Sequence, residues 1–179
     1  DVFMIATIMW MTCFSFLRTS YNDTGNYIAS WQSAESVREF VQDDKLLNLT
    51  GNPLSLLWQS ISHSLVNNYH VYFLLPAFLE SFAVAKLMKQ HSVNLAFSVL
   101  IFFSIGTYIT YVAALKQCFA MFFLLMSIPY AEEKKYVRFY FLVAIAILFH
   151  THAFMFAILP ILFNKPWGKV TWLGLAVAL

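Results

Sequence analysis

The residues of this chain able to do chemistry are few, and most are cations or imidazoles set among apolar neighbours. His150 and His152 interrupt an oily run over 139–163, in the stretch "ILFHTHAF". Lys116 and Gln117 stand at the head of another, and Arg18 closes the first apolar run at 2–17, with Asp23 and Tyr27 just beyond it in "YNDTGNY". Cations beside an apolar run suit a phosphate-bearing ligand, because charge-assisted hydrogen bonds to phosphate are short and strong. An imidazole, with an unperturbed pKa of about 6.5, takes a proton from a hydroxyl near neutral pH, and a carboxylate such as Asp23 can do the same. Two histidines spaced by two do not share a helix face, and no acidic pair or His/Cys/Asp cluster accompanies them. The expectation is metal-independent chemistry with no cofactor.

Each of these residues also has a plainer reading. Arg18 can be an interfacial anchor that snorkels to the headgroups, and Asp23 can cap a helix beginning near Gly25. The two histidines can be imidazoles bonded to a neighbouring helix. Tyr108, Tyr111 and Tyr130 read as interface-belt aromatics, Cys13 and Cys118 as small core residues, and Glu80 as a partner for another span with no chemistry of its own.

The elements that must position these residues are those of a membrane protein. Of 179 residues, 60% are hydrophobic and 11% charged, unlike an ordinary soluble domain, and a net charge of +2 gives no reason to expect nucleic acid. The expected fold is all-α, a polytopic transmembrane helical bundle with short or re-entrant helices, forming a single transmembrane domain over 1–179 that reads as cut from something longer at both ends. A hydrocarbon core of about 30 Å takes roughly 20 helical residues to cross. The runs at 71–85, 118–128, 139–149 and 153–163 fall short of that, whereas 92–115 is long but carries Gly106. The last two runs read as a hairpin of short helices with the histidines at the bend.

Lys86, Lys89, Lys134, Lys135 and Arg138 lie in two short basic connections and belong in the cytoplasm. The hairpin returns Lys165 and Lys169 to the same side. The stretch 18–53 holds three cations and five anions, one crossing away, so the segment 18–69 is an extracytoplasmic loop. Trp31, Ala34, Val37 and Val41 recur at helical spacing, as in an amphipathic helix lying at the interface. A second interfacial helix follows Asn52 and Pro53, which suit a cap and a first turn. On this topology Arg18, Asp23, Lys116, Gln117, His150 and His152 share one membrane level. A charge at a helix centre costs about 2.5–3.5 kcal/mol on insertion scales, and one outward-facing polar cavity relieves that cost for all of them.

Arg18, "NDTGNY", "NPLSLLWQSIS", "YVAALKQCFAMFFLL" and "EEKKYVRFYFLVAIAILFHTHAF", in that order, resemble the EpsG family of bacterial exopolysaccharide polymerases, multi-spanning relatives of the Wzy polymerases. The resemblance covers nearly all of the chain. It implies a multi-pass enzyme of the bacterial cytoplasmic membrane that joins polyprenyl-diphosphate-linked oligosaccharide repeat units at the outer face, alongside membrane lipid and other polysaccharide-assembly proteins. Its functional positions fall on Arg18, Asp23, Tyr27, Lys116, Gln117 and His150. The family usually has Arg where Lys116 stands and often Glu where Asn52 stands, which alters bidentate phosphate recognition and removes one acid or base. In such an enzyme Arg18 and Lys116 would stabilise the leaving diphosphate, and Asp23 or His150 would serve as general base, with Tyr27, Gln117 and His152 lining the substrate. The alternatives are a transporter or flippase for a lipid-linked or anionic solute, a membrane acyltransferase, and a non-catalytic scaffold.

Overall fold

The computed structural model describes residues 2–43, 45–47, 51–164 and 168, and every regular element among them is helical. Helix α1 (Val2–Phe16) ends just before Arg18. Two short helices follow, α2 (Thr24–Gln32) and α3 (Val37–Gln42), then α4 (Pro53–Leu65) and the long α5 (Tyr69–His91). Helices α6 (Leu95–Ser104) and α7 (Thr107–Ala113) lead to α8 (Leu115–Glu132) and α9 (Tyr136–Phe149). A 3₁₀ segment, Thr151–Ile158, and α10 (Leu159–Asn164) complete the order.

Several runs expected to be short belong to longer helices. The run at 71–85 is part of α5, whose 23 residues reach about 34 Å and continue through Lys86 and Lys89. Asn68 starts it by accepting the backbone N–H of His70, and Lys89 and His91 in the last turn complement its dipole. Of the described helices, α5 is the one long and apolar enough to cross a membrane. The run at 118–128 lies within α8, which begins before Lys116 and extends to Glu132. By contrast, 92–115 divides into α6 and α7 at Gly106, whose φ of +76° lies in the left-handed region that interrupts a helix.

The single amphipathic helix expected across Trp31 to Val41 is also two helices. Ser36 and Glu39 form a reciprocal capping box that restarts the chain as α3, so Phe40 is buried while Val41 is exposed. Helix α4 begins where Asn52 and Pro53 suggest, with Pro53 in its first turn.

Contacts at the helix ends fix their directions. The His70 ring meets the Phe16 carbonyl at 2.9 Å, so the end of α1 lies at the start of α5. At the other end of α5, His91 Nε2 lies 3.8 Å from Glu132 Oε2 of α8, so α5 and α8 run the same way. Stacking of Phe149 on Phe119, with centroids 4.6 Å apart, brings the end of α9 back to the start of α8. Beyond His150 the chain reverses. Tyr140 Oη donates to the Ala157 carbonyl at 3.3 Å, whereas 17 residues of straight helix would separate them by about 25 Å. The bundle therefore has a basic end, carrying Lys86, Lys89, Lys134, Lys135 and Arg138, and an opposite end carrying Arg18, Lys116 and His150. Lys165 and Lys169, expected at the basic end, lie outside the described residues.

Candidate active site

Arg18 leaves the end of α1 and turns inward. It is 8% exposed, with its guanidinium carbon 4.8 Å from the centroid of the Phe73 ring on α5. None of its three side-chain nitrogens, all buried, has a hydrogen-bond partner. The snorkelling position is thus replaced by a cation held against an aromatic face, which a guanidinium tolerates because it is planar and weakly hydrated. Burial lowers its pKa from the ordinary arginine value, opposed by neighbouring Cys118, Tyr27, Glu80 and Tyr108.

Tyr27, on α2, faces the same region from above. Burial raises its phenol pKa, as do the Asp23 and Cys118 charges, while the backbone N–H of Lys116 and the Arg18 charge act the other way. Helix α2 can hold Tyr27 there because α4 buries a polar face against it. Trp31 Nε1 donates to Ser62 Oγ at 3.2 Å, and Gln59 Nε2 donates to the Ser30 carbonyl at 2.7 Å. Asn22 Nδ2 reaches the Ala113 carbonyl at 3.4 Å, which ties the loop before α2 to the turn that introduces Lys116. Asp23 occupies the N-cap position, but its side chain makes no capping hydrogen bond; it is exposed at the rim of the Tyr27 region.

Lys116 is half-buried in the first turn of α8, and Gln117 beside it is exposed. Across from them His150 sits at the break after α9, with its ring centroid 5.2 Å from that of His152. Burial lowers the His150 pKa from 6.5, and His152 and Lys116 lower it further. Its Nδ1 is buried without a hydrogen-bond partner, so the expected bond to a neighbouring helix is not made through that atom. His152 is exposed. The bend is held by residues of α4 and the turn before it: Ser55 Oγ donates to the Phe149 carbonyl at 2.8 Å, and Asn52 Oδ1 accepts from the Thr151 backbone N–H at 2.9 Å. Trp58, Phe119, Phe149 and Phe123 form an aromatic floor below it.

The bundle thus brings Arg18, Tyr27, Lys116 and His150 into one chain of neighbours, with Asp23, Gln117 and His152 at its exposed rim. Among the described residues, no three of His, Cys, Asp or Glu group closely enough to hold a metal ion. A model of the EpsG family matches residues 1–179. The chain belongs to the EpsG family. No curated protein and no solved structure matches it. EpsG membership implies a polysaccharide-polymerase-like function in exopolysaccharide biosynthesis.

Other residues of this EpsG chain belong to the site's surroundings although their sequence context gave them no role. Glu80 is buried on the face of α5 that also carries Phe73 and Ala77, within hydrogen-bonding reach of the buried Cys118. A lone carboxylate seven residues after an aromatic, both in an apolar run, is the signal for it. Tyr108 is buried and donates to the Met11 carbonyl at 2.7 Å, so it is a strut between α7 and α1 and not a belt residue. Tyr130 lies under the Arg138 guanidinium at 5.9 Å, and the side chain of Tyr111 lies outside the described residues. Cys118 is buried as expected, but Cys13 is exposed.

Proposed function

We propose that the end of the bundle carrying Arg18, Tyr27, Lys116 and His150 is the active site of a membrane glycosyltransferase. It joins polyprenyl-diphosphate-linked oligosaccharide repeat units at the outer face of the bacterial cytoplasmic membrane. The observation that carries this reading is the buried, unpartnered Arg18 guanidinium at the same end of the bundle as Lys116 and His150, opposite the basic turns. The positive-inside rule places those basic turns in the cytoplasm and the site outside. Exposed Ile5, Met9, Phe97, Leu100, Val137 and Phe141 on α1, α6 and α9 are surface for lipid, in keeping with a polytopic domain over 1–179. Helices shorter than α5 then cross with thinning or polar termini, the hairpin after His150 is re-entrant, and α2 to α4 form the extracytoplasmic cover.

In the reaction a hydroxyl oxygen of one repeat unit attacks the anomeric carbon of another. The bond from that carbon to the diphosphate oxygen breaks, the polyprenyl diphosphate departs with the electron pair, and the hydroxyl proton passes to a base. Arg18 and Lys116 stabilise charge developing on the departing diphosphate, where a preorganised cation in a water-poor site acts most strongly. His150 is neutral at working pH and its buried Nδ1 makes no hydrogen bond within the protein, which leaves that lone pair for the proton of a bound hydroxyl, while Asp23 at the rim orients the acceptor. Tyr27, Gln117 and His152 contact the glycan. The reaction uses no metal, so polymerisation persists in a strong chelator; loss restored by a divalent ion contradicts this. Arg18→Ala and His150→Ala in the full-length protein abolish polymer while single repeat units accumulate on lipid. Normal chain length in both variants overturns the assignment.

A further inference from the structure

A cleft of about 620 Å³ opens beside Arg18, between α1 and α7. That volume is within the ~300–1,000 Å³ typical of pockets for small organic ligands. Its walls are aromatic and aliphatic: Trp10, Phe14 and Leu17 from α1 and Tyr108, Ile109 and Val112 from α7. Trp10 stacks on Phe14 at 5.3 Å and meets Phe103 edge-on at 4.9 Å, and the Tyr108 hydrogen bond to the Met11 carbonyl ties the two helices together at the cleft's inner side. Trp10, Phe14, Leu17 and Ile109 keep large exposed faces, so the cleft opens sideways from the bundle. Its one charged lining residue is Arg18, more than nine-tenths buried and with no nitrogen bonded.

A greasy trough ending at a guanidinium that makes no hydrogen bond is complementary to an amphiphile with an apolar tail and an anionic phosphate head. A buried unpaired cation is costly, and a phosphate received bidentately relieves that cost. We infer that this cleft is the lipid subsite of the enzyme: the first isoprene units of a polyprenyl diphosphate enter it laterally from the bilayer, and the diphosphate comes to rest on Arg18. The inference depends on the substrate being a lipid-linked diphosphate, as proposed above. It adds where the lipid sits and by which side it arrives.

Cys13 lines the cleft and is exposed, whereas Cys118 is buried, so the protein carries its own reporter. The test is the rate of Cys13 alkylation by N-ethylmaleimide in the full-length protein in nanodiscs, read by mass spectrometry of the Cys13 peptide. Farnesyl diphosphate is expected to slow alkylation at least tenfold, with little effect from farnesol or inorganic diphosphate at equal concentration, and Arg18→Gln removes the protection. Equal protection by phosphatidylglycerol identifies an ordinary phospholipid site, and equal protection by inorganic diphosphate identifies an anion site with no lipid subsite; either overturns the inference. A Cys13 that is alkylated at the same rate with and without farnesyl diphosphate overturns it too. Ile109→Trp, which fills the cleft, is expected to lose protection and shorten the polymer. If Ile109→Trp polymerises normally and farnesyl diphosphate leaves Cys13 of the wild type unprotected while Arg18→Ala makes no polymer, the lipid subsite fails alone; if Arg18→Ala also polymerises normally, the polymerase assignment fails with it.

Discussion

At the scale of single residues, Arg18 and His150 are set up in opposite ways by the same burial. A guanidinium keeps its charge through a lowered pKa because its ordinary value is far above neutrality, so Arg18 remains a cation seeking an anion. An imidazole pushed below 6.5 becomes neutral at working pH and is available to take a proton. The base form exists above the pKa, so the acidic limb of kcat/KM lies below pH 6.5. Activity is expected to fall only as pH drops through that limb, and His150→Gln removes the limb with most of the rate. A limb above 6.5, or one unchanged in His150→Gln, excludes His150 as the base. Lys116→Arg tests whether a planar fork serves better at this position than a point charge. Activity at or above wild type is expected, with Lys116→Ala falling at least tenfold.

At the scale of elements, what holds the site is a set of polar contacts between helices far apart in sequence. Trp31 and Ser62 are both buried, and Ser62→Ala leaves the indole N–H without its acceptor, at a cost of about 1–3 kcal/mol visible in the thermal midpoint. At Gly106 an added Cβ meets nothing within 4 Å, so Gly106→Ala pays only for its positive φ, about 1–2 kcal/mol, in the same measurement. A change near zero in either variant contradicts the corresponding contact or turn. These elements also mark what was readable in the sequence. The histidine bend, the Asn52–Pro53 start and the clustering of basic turns follow from charge and local chemistry. The break between α2 and α3 was legible too, since Ser36-x-x-Glu39 is a capping box, but the apolar spacing from Trp31 to Val41 masked it. The full lengths of α5 and α8 were not, because hydropathy stops at a lysine while a helix continues through its stem. Asn52 meeting Thr151, 99 residues away, and Glu80 beside Cys118 depend on packing that no local pattern encodes.

At the scale of the whole molecule, the candidate site residues occupy one end of a bundle whose other end is basic. With the basic turns inside, an impermeant thiol reagent on intact cells is expected to label Asn26→Cys on α2 and to spare Glu133→Cys in the turn after α8, until the membrane is opened. The reverse pattern would turn the site toward the cytoplasm and remove it from lipid-linked units displayed outside. The central claim is that an unsatisfied guanidinium at that end receives a leaving diphosphate while a new glycosidic bond forms. Full-length protein reconstituted with purified polyprenyl-diphosphate repeat units, its products read by mass spectrometry, addresses this directly. The expected result is lipid-linked oligomers with matching release of polyprenyl diphosphate from wild type and neither from Arg18→Ala; oligomers from Arg18→Ala at the wild-type rate, or no new glycosidic bond from wild type, contradict it.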